Sequence, residues 1–523
     1  MPTPFDALLA TIHTVRHPSS VPEGESIVVS ETIAVAASAY EAIRNTLEYD
    51  EEHLMRRNAL RRIIKRRVQE EASQPLAMDV LRELVWARYL PNKKVPEAMI
   101  GTLAAVFEKY RPLFVRAQAE QGRSDMLFEW LLDLVSTEVE CVLQPMPVDE
   151  LLASTAYREL KQRMVWANPA MADADRDLQL YIAVHRAVLK SNVPTLRFRV
   201  FTLYYPGWLH AFAADPLVAE VATQLPTVVD AIERQLRHPA ADSVFRLARQ
   251  HAIVFHLIRD IAEADPDAFA AAMSAGNMAA IDEAISKAAE RRYDRFRSRL
   301  KTRVVRAALF LFLTKMVLAL ILELPYEQFV LQSPDFRPLL VNIIFHPLLL
   351  CVIGLSVHIP QAKNNKKILD EVHALLGMGK DFTITLKPGH SNGGLGLAFR
   401  LCYGLMSLLT IGAIASLLRV LHFNVFSIAL FLFFLSLVMF FGLKIRNSKK
   451  ELVMVESGSH VFGFLADLLF LPMIRAGRWI ALRAPRLNIF LFFLDFIIEA
   501  PFKATIRVIE SWLAFLREKK EEI

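Results

Sequence analysis

The run Ala307-Ala308-Leu309-Phe310-Leu311-Phe312-Leu313-Thr314-Lys315-Met316-Val317-Leu318-Ala319-Leu320-Ile321-Leu322-Glu323-Leu324 decides the fold. As a helix it extends about 27 Å, close to the roughly 30 Å of a bilayer core. Three more runs of similar length follow, residues 339–359, 401–421 and 425–443. Together they predict a bundle of four membrane-spanning helices.

No helix breaker separates the first run from Glu290-Arg291-Arg292-Tyr293-Asp294-Arg295-Phe296-Arg297. One continuous helix is therefore expected to carry the chain from polar to apolar surroundings. The basic residues between Arg291 and Arg306 place that entrance on the cytoplasmic side, because short flanking segments rich in Lys and Arg stay inside. Lys363, Lys366, Lys367, Lys380 and Lys387 put the loop between the second and third runs inside too, and Lys444, Arg446, Lys449 and Lys450 do the same after the fourth. Both termini are then cytoplasmic. No signal peptide is visible at the start of the chain, and a plasma (inner) membrane location is expected.

Two shorter apolar stretches, 461–474 and 489–500, hold the acids Asp467, Asp495 and Glu499. Crossing the membrane there would place Arg475, Arg478, Arg483 and Arg486 outside, so re-entrant or interfacial helices are expected instead. Trp479 and Trp512 suit the headgroup level. Asp495, Glu499, Lys503, Arg507 and Glu510 share one stripe of the second helix, read as a solvated face with Glu499–Lys503 pairing or as the lining of an aqueous cavity.

Charge separates the two halves. Residues 1–300 carry 40 acidic and 36 basic side chains, a net of −4; the remaining 15 and 25 give +10, restoring the total of +6. The basic excess belongs to the membrane half, which fits anionic lipid better than nucleic acid. Residues 1–300 show helical spacing almost throughout, over about 27–48, 52–71, 76–90, 95–119, 125–142, 149–165, 176–190, 216–236, 241–262 and 279–306, with prolines near most ends. The stretch from Leu196 to Tyr205 alternates and could be extended. The sequence thus predicts an all-α protein. It has a helical domain of bundle or solenoid type (1–300), a four-helix transmembrane domain with an inner loop at 360–398 (301–450), and amphipathic or re-entrant C-terminal helices (451–523).

Arg56, Arg57, Arg61, Arg62, Lys65, Arg66 and Arg67 form a basic helix face, read either as solvated or as a patch for anionic lipid. Lys315 stands out most, since a charged group at mid-bilayer costs about 3 kcal/mol on insertion scales. As a pathway lysine it would pair with an acid, Glu323, about 12 Å along the same helix, or Asp467 or Asp495; as a structural lysine it would be held by carbonyls or by another helix. His346 falls at similar depth in the second run. The run from Gly377 to Gly396 holds a short alternating segment, Asp381 to Leu386, and a glycine-rich turn read as a linker.

Cys141, Cys351 and Cys402 are far apart, and no metal-ligand spacing, phosphate loop or nucleophile elbow occurs. The sequence therefore points to a non-enzymatic membrane protein with no cofactor. Its cytoplasmic helical domain would act as an interaction or scaffold module, with a cytoplasmic protein partner, the lipid bilayer and self-association as expected contacts. A transporter or channel component using Lys315, His346 and the acidic C-terminal helices is the alternative.

Overall fold

The computed structural model describes residues 4–16, 26–29, 52–68, 73–167, 171–331, 336–386, 395–455 and 461–483. They are mostly helical, with two three-residue strands, Met164–Trp166 and Ile384–Leu386. The second strand lies in the alternating segment after Gly377. Two compact units divide between Ala248 and Arg249, inside the helix Ala241–Ala264. Residues 249–300, grouped with the first domain from sequence, belong to the unit that holds the apolar helices.

In the first unit the helices Glu52–Arg67, Ser73–Trp86, Ala98–Ala119, Ser124–Leu143 and Val193–Tyr204 surround a core rich in Leu, Val and aromatic residues. The helices Asp6–Arg16 and Pro266–Ser274 escape the sequence reading, while most of 27–48 lies outside the described residues. Pro112 lies inside the helix Ala98–Ala119 rather than at its end.

The alternating stretch after Leu196 is helical. Asn192 caps it, accepting from the Thr195 amide at 3.2 Å, and Pro194 sits in the first turn, both strong helix-start signals. Alternation misleads here because the polar positions are also enclosed, as ion pairs. Arg197 meets Asp133 and Glu233, and Arg199 meets Glu150 at 2.6 Å.

The same holds for the basic helix. Arg56 and Arg57 are buried against Glu140, Arg61 bridges Glu129 and Asp133, Lys65 meets Glu129, and Arg66 and Arg67 meet Glu83. Most of these side chains are thus paired with acids of neighbouring helices, with Lys65 and Arg66 still exposed and Arg62 half-buried. For Arg56, Arg57, Arg61 and Lys65 the acids lie 64 to 84 positions away and give no local signal, so that pairing was not legible.

In the second unit a single helical run, Met278–Phe329, leads into the apolar stretch without interruption, as expected. With Arg337–Leu355, Tyr403–Val420 and Val425–Glu451 it makes four helices, among the described residues, long and apolar enough to span a bilayer. Phe310, Leu340, Leu408 and Val425 lie exposed on their outer surfaces, an arrangement suited to hydrocarbon rather than water. The four helices are consistent with a multi-pass membrane protein.

The expected inner loop contains a helix, Gln361–Leu375. Its Asn364, Ile368, Glu371, Val372 and Leu375 are buried, a spacing of one amphipathic face. Tyr293 and the backbone at Leu452 and Met454 hydrogen-bond Asn364, while His251 and His373 meet Glu371 and Asp282, each at 2.6 Å. The first C-terminal stretch continues past residue 474 as Val461–Arg483, because arginines do not end a helix. It packs on the fourth apolar helix through Met473 and Gly477. The second stretch, 489–500, lies outside the described residues.

Candidate functional site

Lys315 is completely buried, and its partner is an amide rather than an acid: Nζ donates to Asn342 Oδ1 at 2.6 Å. Asn342 in turn donates from Nδ2 to Glu323 Oε1 at 2.7 Å. One side chain of the second apolar helix thus spans the gap between two ionisable residues of the first. The amide orientation suits both, presenting oxygen to a cation and nitrogen to a carboxylate. The Lys315 ammonium also lies 4.2 Å from the centre of the Phe434 ring on the fourth helix. A charge-assisted hydrogen bond contributes about 1.5–3 kcal/mol and a desolvated cation–π contact about 2 kcal/mol, enough to offset an insertion cost near 3 kcal/mol.

His346 belongs to the same layer. Nδ1 lies 3.1 Å from the Asn342 carbonyl one turn back, and Nε2 lies 3.1 Å from the Phe431 carbonyl on the fourth helix. Both neighbours are acceptors, so a neutral ring donates to one and an imidazolium to both. Phe345, Phe431 and Phe434 surround the ring.

The backbone is irregular where the acids sit. Two wider-wound turns, Ala319–Glu323 and Glu327–Leu331, flank Leu324-Pro325-Tyr326. Pro325 has no amide hydrogen to donate, and turns of this type recur at functional sites. Glu323 is 1% exposed, and its Oε2 has no hydrogen-bond partner among the described residues. Glu327, also buried, accepts from Asn424 Nδ2 at 3.4 Å. Asn424 is half-buried at the turn between the third and fourth apolar helices.

Polar groups therefore follow one another from Asn424 through Glu327, Glu323 and Asn342 to Lys315 and His346. Beyond Lys315 the packing is apolar, with Leu311, Leu350, Phe434 and Val438 forming one buried cluster.

Of the residues singled out from sequence, Lys315, Glu323 and His346 come together through Asn342. Asp467 falls in the helix Val461–Arg483, but its side chain lies outside the described residues, as do Asp495 and Glu499. Asn342, Glu327, Asn424 and Phe434 were missed. Asn342 left a usable signal, a polar residue one helical turn before His346 in an apolar run. Among the described residues no group of His, Cys, Asp and Glu is placed to hold a metal ion. Comparison with family models, with curated proteins and with solved structures gives no match.

Proposed function

We propose that the protein is a transporter or channel component that moves protons along the column between Asn424 and Lys315. The observation that carries this reading is the buried Glu323 carboxylate, one oxygen of which has no hydrogen-bond partner among the described residues, joined through Asn342 to a buried ammonium. Ionisable groups inside a membrane bundle are costly and are retained chiefly where an ion or proton passes. The hydrogen bonds of Asn342 to both Lys315 and Glu323 suit a proton better than a hydrated ion. The apolar cluster around Leu350 closes the far end, so passage requires a second arrangement of the helices, for which the irregular turns beside Pro325 provide a pliant point.

In this reading both termini face the cytoplasm of a plasma membrane, and the column opens to the outer side. The protein works without a catalytic residue or cofactor. Purified protein reconstituted in vesicles with an internal pH dye tests it. Proton flux under an imposed potential is expected in wild type and reduced to the protein-free level in Glu323→Gln; wild-type vesicles no faster than protein-free ones contradict it.

A second reading, a membrane-anchored interaction module, is favoured by Leu209 and Phe212, which are exposed beside the buried Trp208 in the first unit. Exposed apolar side chains on a turn suit a protein partner.

A further inference from the structure

The first unit holds a cleft of about 580 Å³, within the range of small-ligand sites. Its wall combines aromatic and acidic side chains: Tyr157, Tyr181 and Tyr204 with Glu150, Asp175 and Asp177. Arg199 is the one basic side chain in the lining that is charged at neutral pH, and Glu150 meets it at 2.6 Å. The lining is therefore net negative.

His185 closes the inner wall. It is 6% exposed, lies with its ring centre 4.3 Å from that of Tyr181, and its Nδ1 has no hydrogen-bond partner among the described residues. Burial, helped by the charge on Arg199, lowers its pKa to about 3, so the ring is neutral and can offer a lone pair. Asp175 is held in place by Gln235, whose Nε2 donates to Oδ1 at 2.8 Å; Gln235 is itself fixed by Gln179 at 3.0 Å. The chain also supplies an internal example of the chemistry. The Lys161 ammonium lies 5.7 Å from the centre of the Tyr157 ring and 2.6 Å from Asp177 Oδ2.

We propose that this cleft binds a small organic cation, an alkylammonium or guanidinium group, held by the Asp175 carboxylate, the rings of Tyr181 and Tyr204, and the unpartnered nitrogen of His185. Each element answers a different property of such a ligand. The carboxylate answers its charge, the rings its charge and carbon skeleton together, and the imidazole nitrogen one of its N–H groups. An anion would meet a net negative wall, and a neutral alkane would strand the polar atoms. The same group can arrive on a free amine or on a basic side chain of a protein.

Calorimetric titration of the full-length protein in detergent tests this, with pentylammonium chloride, N-acetyl-arginine amide and neutral 1-pentanol as probes. Saturable binding of at least one cation is expected, with none for pentanol and at least tenfold weaker binding in Asp175→Asn. Tyr204→Ala, at a side chain 41% exposed, provides a second variant that removes less packing than a buried ring would and should also weaken binding. Binding of pentylammonium, alone or with the arginine amide, assigns a free amine, and binding of the arginine amide alone assigns a protein side chain. Lack of saturation by either cation, equal binding of pentanol, or unchanged affinity in both variants overturns the proposal.

Discussion

Asn342 joins a lysine and a glutamate that lie eight positions apart on one helix, and removing it disturbs both. Lys315→Leu leaves the Asn342 carbonyl oxygen without its donor, a loss of about 1–3 kcal/mol. Asn342→Leu strands an ammonium and a carboxylate together and should cost more, about 3–5 kcal/mol if both stay charged. Thermal unfolding in detergent ranks the two; Asn342→Leu milder than Lys315→Leu would contradict the bridging arrangement. At this scale the sequence shows what is costly more readily than what offsets the cost. Lys315 is conspicuous because charge is rare in an apolar run. Its partners lie 27 and 119 positions away, where an asparagine and a phenylalanine look ordinary. The arginines at 56, 57 and 61 make the same point in the first unit.

The helix Val461–Arg483 meets the fourth apolar helix at Gly477, where a Cβ would lie 1.9 Å from the Ser436 carbonyl oxygen. Backbone cannot yield there as a flexible side chain can, so small residues are required at such close crossings. Gly477→Ala should lower thermal stability in detergent clearly, whereas Gly412→Ala, with nothing within 4 Å of the added carbon, should leave it unchanged or slightly raised. Equal effects of the two substitutions would contradict the docking of this helix. Elements were legible where one pattern dominated, as in the four long apolar runs and most amphipathic helices. The helix Gln361–Leu375 was hidden by its charge, although its buried positions recur at helical spacing. The helix after Asn192 was obscured by alternation in which Arg197 and Arg199 are half-buried in ion pairs rather than facing away from a sheet.

Across the whole molecule, apolar length and basic flanks pointed to a multi-pass membrane protein, and the four long apolar helices agree with that. The place where the chain divides was less legible, because the helix entering the apolar stretch runs unbroken from Met278 and its neighbours travel with it. The proposed path predicts that water reaches the column from one side only. Single cysteines on a cysteine-free background, probed with a small impermeant thiol reagent in sealed vesicles of both orientations, measure this directly. His422→Cys and Lys366→Cys mark the two faces, since both side chains are exposed. Asn424→Cys should react from the His422 face, Glu327→Cys and Glu323→Cys progressively more slowly from that same face, and Leu350→Cys from neither. A Glu323→Cys protein that is inert from both faces, or that reacts from the Lys366 face, would contradict the account.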